Sequence, residues 1–307
     1  MPASVVFDSL VRSIQVGSLY ALMALGLTLT LAVVRLPNFA HAELITVGGY
    51  VALLSSLWLT HSLFVILGLA FIGSALVAWL MHRAVYRPLA RRNLSTYGML
   101  LASFSVGLIL RYIIFLLVDR YGLFDKHIAV PVEIWYRTPD VILTNLFFWS
   151  VPTAVALMIV LSLVLRGTSL GRQMRALADN GILARVTGIP VDQVHDLTWL
   201  VVGGLAGVGG ALWGMYTSLN PLTGWLTILS VFAASVLGGM TSFTGTILGA
   251  YVVSFSENLL MQWLNFRFGL DFTFKAAVPF VIIILVLLLR PAGLTGFAGS
   301  LRKLSRR

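Results

Sequence analysis

Apolar runs of about 20 residues recur from one end of the chain to the other, and a helix needs about that many to cross a bilayer's hydrocarbon. They cover Val5–Val34, Glu43–Leu59, Leu63–Met81, Thr96–Val118, Asn145–Leu165, Leu197–Thr217, Trp225–Leu237, Thr246–Leu264 and Phe274–Leu289. Some are short or broken. Within each run the apolar residues are continuous rather than alternating. That pattern selects helices over a β-barrel, because a helix satisfies every backbone group internally. Composition agrees: 59% of residues are hydrophobic and 10% charged, against roughly 45–50% and about 25% in soluble domains. The expectation is an all-α polytopic transmembrane bundle of about eight or nine spans, in one domain over residues 1–307.

The absence of cysteine leaves no disulfide framework and no thiolate chemistry. Met1–Leu10 carries Asp8 and no basic cluster, so it reads as a retained anchor rather than a cleaved signal. The net charge of +10 is distributed in a way that points away from nucleic acid. Arg83, Arg87, Arg91 and Arg92 form one basic cluster with no acid nearby in sequence. Arg166, Arg172, Arg175 and Arg185 form a second, and Arg290, Arg302, Lys303, Arg306 and Arg307 a third. The segment Asp119–Thr144 instead mixes Arg120, Lys126 and Arg137 with Asp119, Asp125, Glu133 and Asp140. The positive-inside rule then puts the three clusters and the Arg35 turn in the cytoplasm, and the mixed segment and the N-terminus outside.

Lipid supplies no hydrophobic drive for helix pairing, so small residues mark close contacts. Gly17, Ala21, Ala24 and Thr28 share one face, Gly203, Gly207, Gly210 and Gly214 repeat the spacing, and Gly245 and Gly249 add a pair. Such stripes serve static packing or helices that slide during transport, and spacing does not separate the two. A short internal echo links VGGYVALLSS at Val47 with LGAYVVSFSE at Leu248. Catalytic signals are missing. None of Lys126, Lys275 and Lys303 follows a glycine as a P-loop requires. His41, His61, His82, His127 and His195 are scattered without metal-ligand spacing.

Ionisable groups inside a membrane are costly, about 2.5–3.5 kcal/mol each on insertion scales, and invite functional readings. Glu43, Arg111 and Glu257 are the candidates. Arg111 is either a structural or snorkelling arginine or the wall of a watery path, and Glu257 is a possible partner for it. The stretch RLPNFAHAELITVGGYV, Arg35–Val51, interrupts the first apolar region. Pro37 ends one helix, Asn38 is a good N-cap, and Glu43 suits the positive end of the next helix. This is either a capped restart at the membrane edge or a break within the membrane that aims freed backbone groups at a substrate path.

The polar stretch 166–196 is too polar to span and too long for a turn. Met174, Leu177, Ala178 and Ile182 recur at helical spacing while Arg172, Arg175, Asp179 and Arg185 populate other faces. Gly181 and Gly188 divide it into short helices. Its small apolar side chains suit a partner protein's groove better than a lipid surface.

GSLYALMALGLTLT followed by NFAHAELITVGGYV resembles the signature of branched-chain amino-acid permeases of ATP-binding-cassette importers. GRQMRALADN…AR..GIPVDQVHDLTW is similar to that family's cytoplasmic loop, and VLGGMTSFTGTILGA and RPAGLTG extend the match. The chain most resembles the H-type subunit. The resemblance implies two permease subunits, this one and an M-type partner, in the cell inner membrane. It implies two cytoplasmic ATPases that bind the ATP, so that this chain carries no cofactor, and a periplasmic or lipid-anchored binding protein that delivers leucine, isoleucine or valine. It implies a coupling element at Gly171–Gly188, with Gly171, Arg172, Arg175, Ala176, Asp179, Asn180, Ala184 and Gly188 as candidate residues. It favours Asn38, His41 and Glu43 as path residues, with Arg111 and Glu257 added on their charge. Asp179-Asn180 departs from the Glu-Asp pair common in the family. Cargo such as urea, short amides or other amino acids, and a stand-alone ion-coupled transporter using Glu43, Arg111 and Glu257, stay open. A lipid-acting membrane enzyme lacks a clustered nucleophile, base or metal site.

Overall fold

In a computed structural model of the chain, residues 3–130, 133–137, 142–290 and 293–294 are described. The C-terminal basic residues Arg302, Lys303, Arg306 and Arg307, most of RPAGLTG, and Asp140 lie outside them. The described chain is mostly helical. Among the described residues six helices are long and apolar enough to cross a membrane: Ser4–Val34, Leu63–Arg91, Thr96–Tyr121, Asn145–Gly167, Val191–Tyr216 and Phe272–Leu289. The apolar runs at Glu43–Leu59, Trp225–Leu237 and Thr246–Leu264 form helices too, but not among those six. They become α2 (His41–Trp58), α10 (Thr223–Gly238, 16 residues) and α11 (Phe243–Phe255, 13 residues) followed by a π-helical turn at Ser256–Leu260. Each falls short because polar groups or glycines interrupt it, and those interruptions recur below.

The chain divides into two compact units, one of Met1–Thr28, Pro131–Val155 and Leu229–Arg307, the other of Leu29–Val130 and Ala156–Ile228. The second is organised around α2, α3 (Leu63–Met81) and α9 (Val191–Tyr216), which pack mutually. Glycine is what lets them approach. A Cβ on Gly48 would overlap the Gly207 backbone, one on Gly210 would overlap the Ile45 carbonyl, and one on Gly203 would sit 2.5 Å from the Ser74 carbonyl. Ser74 Oγ donates to the Leu44 carbonyl at 2.8 Å. The Gly203–Gly214 stripe is thus the contact face of the tightest helix trio, as expected where van der Waals packing replaces hydrophobic drive. Outside the trio stand α4 (Arg87–Arg91) and α5 (Thr96–Tyr121).

In the first unit α1 (Ala3–Leu29) packs on α11 through the other stripe. A Cβ on Gly17 would lie 2.7 Å from the Tyr251 ring, Tyr251 Oη and Ser18 Oγ are 2.9 Å apart, and Ser254 Oγ donates to the Ser13 carbonyl at 2.8 Å. Thr28 Oγ1 lies 3.0 Å from Ser235 Oγ and 2.8 Å from Thr246 Oγ1. Gly249 meets the Ala234 carbonyl, so the α10–α11 turn closes tightly. The echo segments at Val47 and Leu248 both fall on such glycine-packed helices, α2 and α11. This unit also holds a hairpin of β1 (Ile134–Arg137) and β2 (Ile142–Thr144), the start of α6 (Asn145–Gly167), α12 (Met261–Phe268) and α13 (Ala277–Leu289).

Candidate functional site

The site is built on the interrupted stretch that opens α2. The π-helical turn Thr30–Val34 ends at Arg35 in the left-handed region (φ 57°), and residues 35–38 leave the helix. α2 begins only at His41, with Ala40 at the cap position and no side-chain cap. Asn38 is therefore not the N-cap that its residue type suggests. It is fully buried, and its Oδ1 accepts from Tyr86 Oη at 3.3 Å.

The depth of this break follows from its neighbours. Ser103 Oγ accepts from the Phe39 N–H at 3.3 Å and lies 3.2 Å from the Pro37 carbonyl, and Gly107 packs against Ala40. Ser103 and Gly107 lie seven and eleven residues into the candidate span α5, about 10 and 16 Å along it at 1.5 Å per residue. The break is therefore inside the membrane-crossing region. Irregular backbone at that depth persists only where protein groups satisfy it, which is the job of Ser103 here, while Tyr86 satisfies the Asn38 side chain.

One turn further in, Glu43 is completely buried. Its Oε1 accepts from Arg111 Nε at 2.9 Å and Nη2 at 2.6 Å, and its Oε2 has no hydrogen-bond partner among the described residues. The guanidinium lies 4.2 Å from the centroid of the Trp225 ring. Arg111 therefore pairs with Glu43 and stacks on Trp225, a cation–π contact, where charge alone had suggested Glu257. A second helix start meets this point: the Gly224 N–H at the head of α10 donates to Thr46 Oγ1 at 3.0 Å, and Gly224 packs on the Ala42 carbonyl. The N-termini of α2 and α10 so converge beside one buried ion pair. Helix N-termini carry partial positive charge and freed N–H groups.

Glu257 belongs to a separate constellation in the first unit. It sits in the π-helical turn Ser256–Leu260, buried, accepting from Tyr20 Oη at 2.9 Å and Ser230 Oγ at 2.5 Å. Single-turn π segments inside helices cluster at functional positions. Among the described residues there are three, at Thr30–Val34, His82–Tyr86 and Ser256–Leu260. Sequence offers no signal for them.

Beneath the break lies a basic end. Arg83 donates to Asp196 at 2.9 and 3.2 Å, and Arg87 and Arg91 both bond Asp192 Oδ2, the latter at 2.9 Å. Three of the four arginines in the cluster that lacks acids in sequence are thus paired in space with two aspartates from the start of α9. Trp199 stacks on Tyr86 (4.9 Å) and on His82 (5.7 Å). These aromatic and acidic partners were not legible from spacing, since they lie about a hundred residues away along the chain.

The polar stretch forms α7 (Ser169–Asp179) and α8 (Gly181–Val186), separated by Asn180, whose Oδ1 accepts from the Ile182 and Leu183 N–H groups as an N-cap. Gly188 (φ +83°) ends the unit, and Gly171, where a Cβ would overlap the Val164 and Leu165 carbonyls, starts it. Met174, Leu177 and Ala184 are buried; Ala176 is half-buried; Arg172, Arg175 and Asp179 are exposed. Ile182, grouped by spacing with the buried residues, is instead 82% exposed, with Leu183 at 58% and Val186 at 79%. The helix break at Asn180 turns α8 to a new face. Arg35 Nη2 donates to the Ala178 carbonyl at 3.1 Å and approaches that of Asp179 at 3.5 Å, tying the end of α7 to the break before α2.

Residues 9–287 match the family described as "Branched-chain amino acid transport system / permease component". The chain belongs to this family. The permease is 32% identical over 286 residues to the probable branched-chain amino acid transport permease protein LivH of Methanocaldococcus jannaschii, covering 91% of this chain and 89% of that protein. It is 28% identical over 302 residues to the high-affinity branched-chain amino acid transport system permease protein LivH of Escherichia coli K12, covering 93% and 94%. Its fold resembles that of PsaBC from Streptococcus pneumoniae, solved in complex with Fab, with a TM-score of 0.50 at 15% identity over 93% of this chain and 92% of that one. The family is a transport component and not an enzyme family, and the six apolar helices make the permease a multi-pass membrane protein.

Proposed function

We propose that this permease is one of two membrane-spanning subunits of an ATP-driven importer in the cell inner membrane, and that leucine, isoleucine and valine are its cargo. The single observation that carries the reading is the family match through residues 9–287, joined to relatives named for branched-chain amino acid transport. An M-type permease is its partner. Two cytoplasmic ATPases bind and hydrolyse the ATP, and a periplasmic or lipid-anchored binding protein delivers the substrate. The finer count of eight or nine membrane segments includes α2, α10 and α11, each of which begins beside a chain break or a tight turn.

The coupling route starts at α8. Its exposed Ile182, Leu183 and Val186 form an apolar face of the kind that enters a partner's groove, here that of an ATPase. Movement of α7–α8 on ATP closure reaches the break through Arg35 and the Ala178 and Asp179 carbonyls. Gly171, Arg172, Arg175, Ala176, Asp179, Asn180, Ala184 and Gly188 make up that element. The break carries Asn38, His41 and Glu43, and its converging helix N-termini beside Arg111 favour the carboxylate of a passing amino acid. Glu257 is a further candidate path residue. The test is uptake competition in cells carrying the whole transporter. Excess unlabelled valine should suppress leucine uptake, while urea and short amides leave it unchanged. Suppression by urea alone would move the cargo to another class.

A further inference from the structure

Outside the helices, β1 exposes Ile134, Trp135, Tyr136 and Arg137 one after another, the three apolar side chains at 52–54%. Such a strand invites aggregation unless something covers it. Its position is fixed. β2 ends at Thr144, and Asn145 opens α6 without a linker. The Asn145 N–H donates to the Glu133 carbonyl at 2.9 Å, and Asn145 Oδ1 accepts from the Glu133 N–H at 3.2 Å. The Trp135 ring stacks on Phe148, in the first turn of α6, at 5.3 Å and 27°, and its indole N–H is satisfied by Glu133 Oε2 at 3.3 Å. The hairpin is therefore clamped to the N-terminal end of a 23-residue apolar span about 34 Å long, so it lies at the level where hydrocarbon gives way to headgroups.

α6 shows which way that level faces. Phe148, Val155, Ile159 and Leu163 are all exposed and follow one another along a single helical face. An apolar exposed stripe on a membrane-crossing helix is a lipid face. Trp135, stacked on its uppermost member, continues that face beyond the helix end.

We propose that the paired strands β1 and β2 are an interfacial anchor, with Trp135 and Tyr136 seated in the headgroup–acyl boundary of the bilayer and Arg137 offering a guanidinium to lipid phosphate. Tryptophan and tyrosine suit this layer because an apolar ring and a polar tip sit on one side chain, and a guanidinium matches phosphate oxygens with paired donors. The occupant is the lipid surface rather than a delivering protein, because the platform is continuous with the lipid stripe of α6. The inference rests on α6 crossing the membrane and not on the identity of the cargo.

The chain has no native cysteine, so one introduced thiol labels one site. Trp135→Cys and, with Trp135 retained, Tyr136→Cys would each carry a polarity-sensitive fluorophore, with Lys126→Cys as an exposed control. The full chain is labelled first and then assembled with its unlabelled partner subunits in nanodiscs without binding protein. The expected result at 135 and 136 is blue-shifted emission, strong quenching by lipids spin-labelled near the headgroup, weak quenching by lipids labelled deep in the acyl chain, and a several-fold smaller iodide quenching constant than at 126. Water-like emission with full iodide access at both sites overturns the proposal. So does protection that appears only when a binding protein is added, which would assign the hairpin to that protein.

Discussion

Arg111→Met isolates the buried ion pair. The Glu43 side chain has no exposure and the Arg111 side chain 11%, so neither charge is well solvated. Removing the guanidinium leaves a buried carboxylate whose hydrogen-bond donors among the described residues were Arg111 Nε and Nη2 alone. Breaking a buried pair from one side costs about 3–5 kcal/mol, because the remaining charge is uncompensated. Loss of the Trp225 stack adds about 0.5–2 kcal/mol. Replacing both charges removes the penalty at its source, and such double replacements are often neutral. Apparent melting temperature of the purified permease, measured by loss of the monodisperse peak on heating, is the assay. Arg111→Met should fall sharply, Glu43→Leu should fall less, and the Glu43→Leu/Arg111→Met double variant should recover most of the loss. A melting temperature unchanged in Arg111→Met, or a double variant no better than the sum of the singles, would refute the pairing. Uptake by the stable double variant then reports the transport role of the charges apart from their structural one.

The glycine contacts of the second unit give a matched pair: Gly48→Ala should destabilise by about 1–3 kcal/mol through overpacking, while Gly68→Ala, with nothing within 4 Å, should be neutral or stabilising by up to about 1 kcal/mol, both read as melting shifts. Ile182→Glu with Leu183→Glu should abolish ATPase co-purification without moving the melting temperature, since both side chains are exposed. Retained co-purification would detach α8 from the coupling role. Arg35→Ala should preserve ATPase binding but depress uptake per ATP hydrolysed, because the link from α7 to the break is cut. An unchanged ratio would contradict it.

Much of this architecture is legible from composition and run length, because a bilayer leaves helices as nearly the only solution for continuous apolar segments. The glycine stripes are legible for the same reason: close approach needs small residues, and Gly207 and Gly17 lie where spacing puts them. The polar site was legible only in part. Glu43 and Arg111 stand out by charge in apolar surroundings, but spacing along the chain says nothing about which distant helix supplies a partner. Arg111 could be matched with Glu43, 68 residues away, only in three dimensions. Asn38 has a capping residue's chemistry, yet packing against Tyr86 draws it inward and delays the helix to His41. Ile182 follows the helical period of Met174 and Leu177 until Asn180 caps a new helix and resets the face. The π-helical turns arise from tertiary packing and leave no compositional trace.

The central claim is that this permease forms a conduit driven from outside itself through the α7–α8 element. It is tested most directly by reconstitution in liposomes with and without the ATPase, second permease and binding-protein subunits, following radiolabelled leucine under ATP, under ATP withdrawal and under imposed proton or sodium gradients. Concentrative uptake is predicted only with the full set of subunits and ATP hydrolysis. Accumulation by the chain alone under an ion gradient would contradict the account.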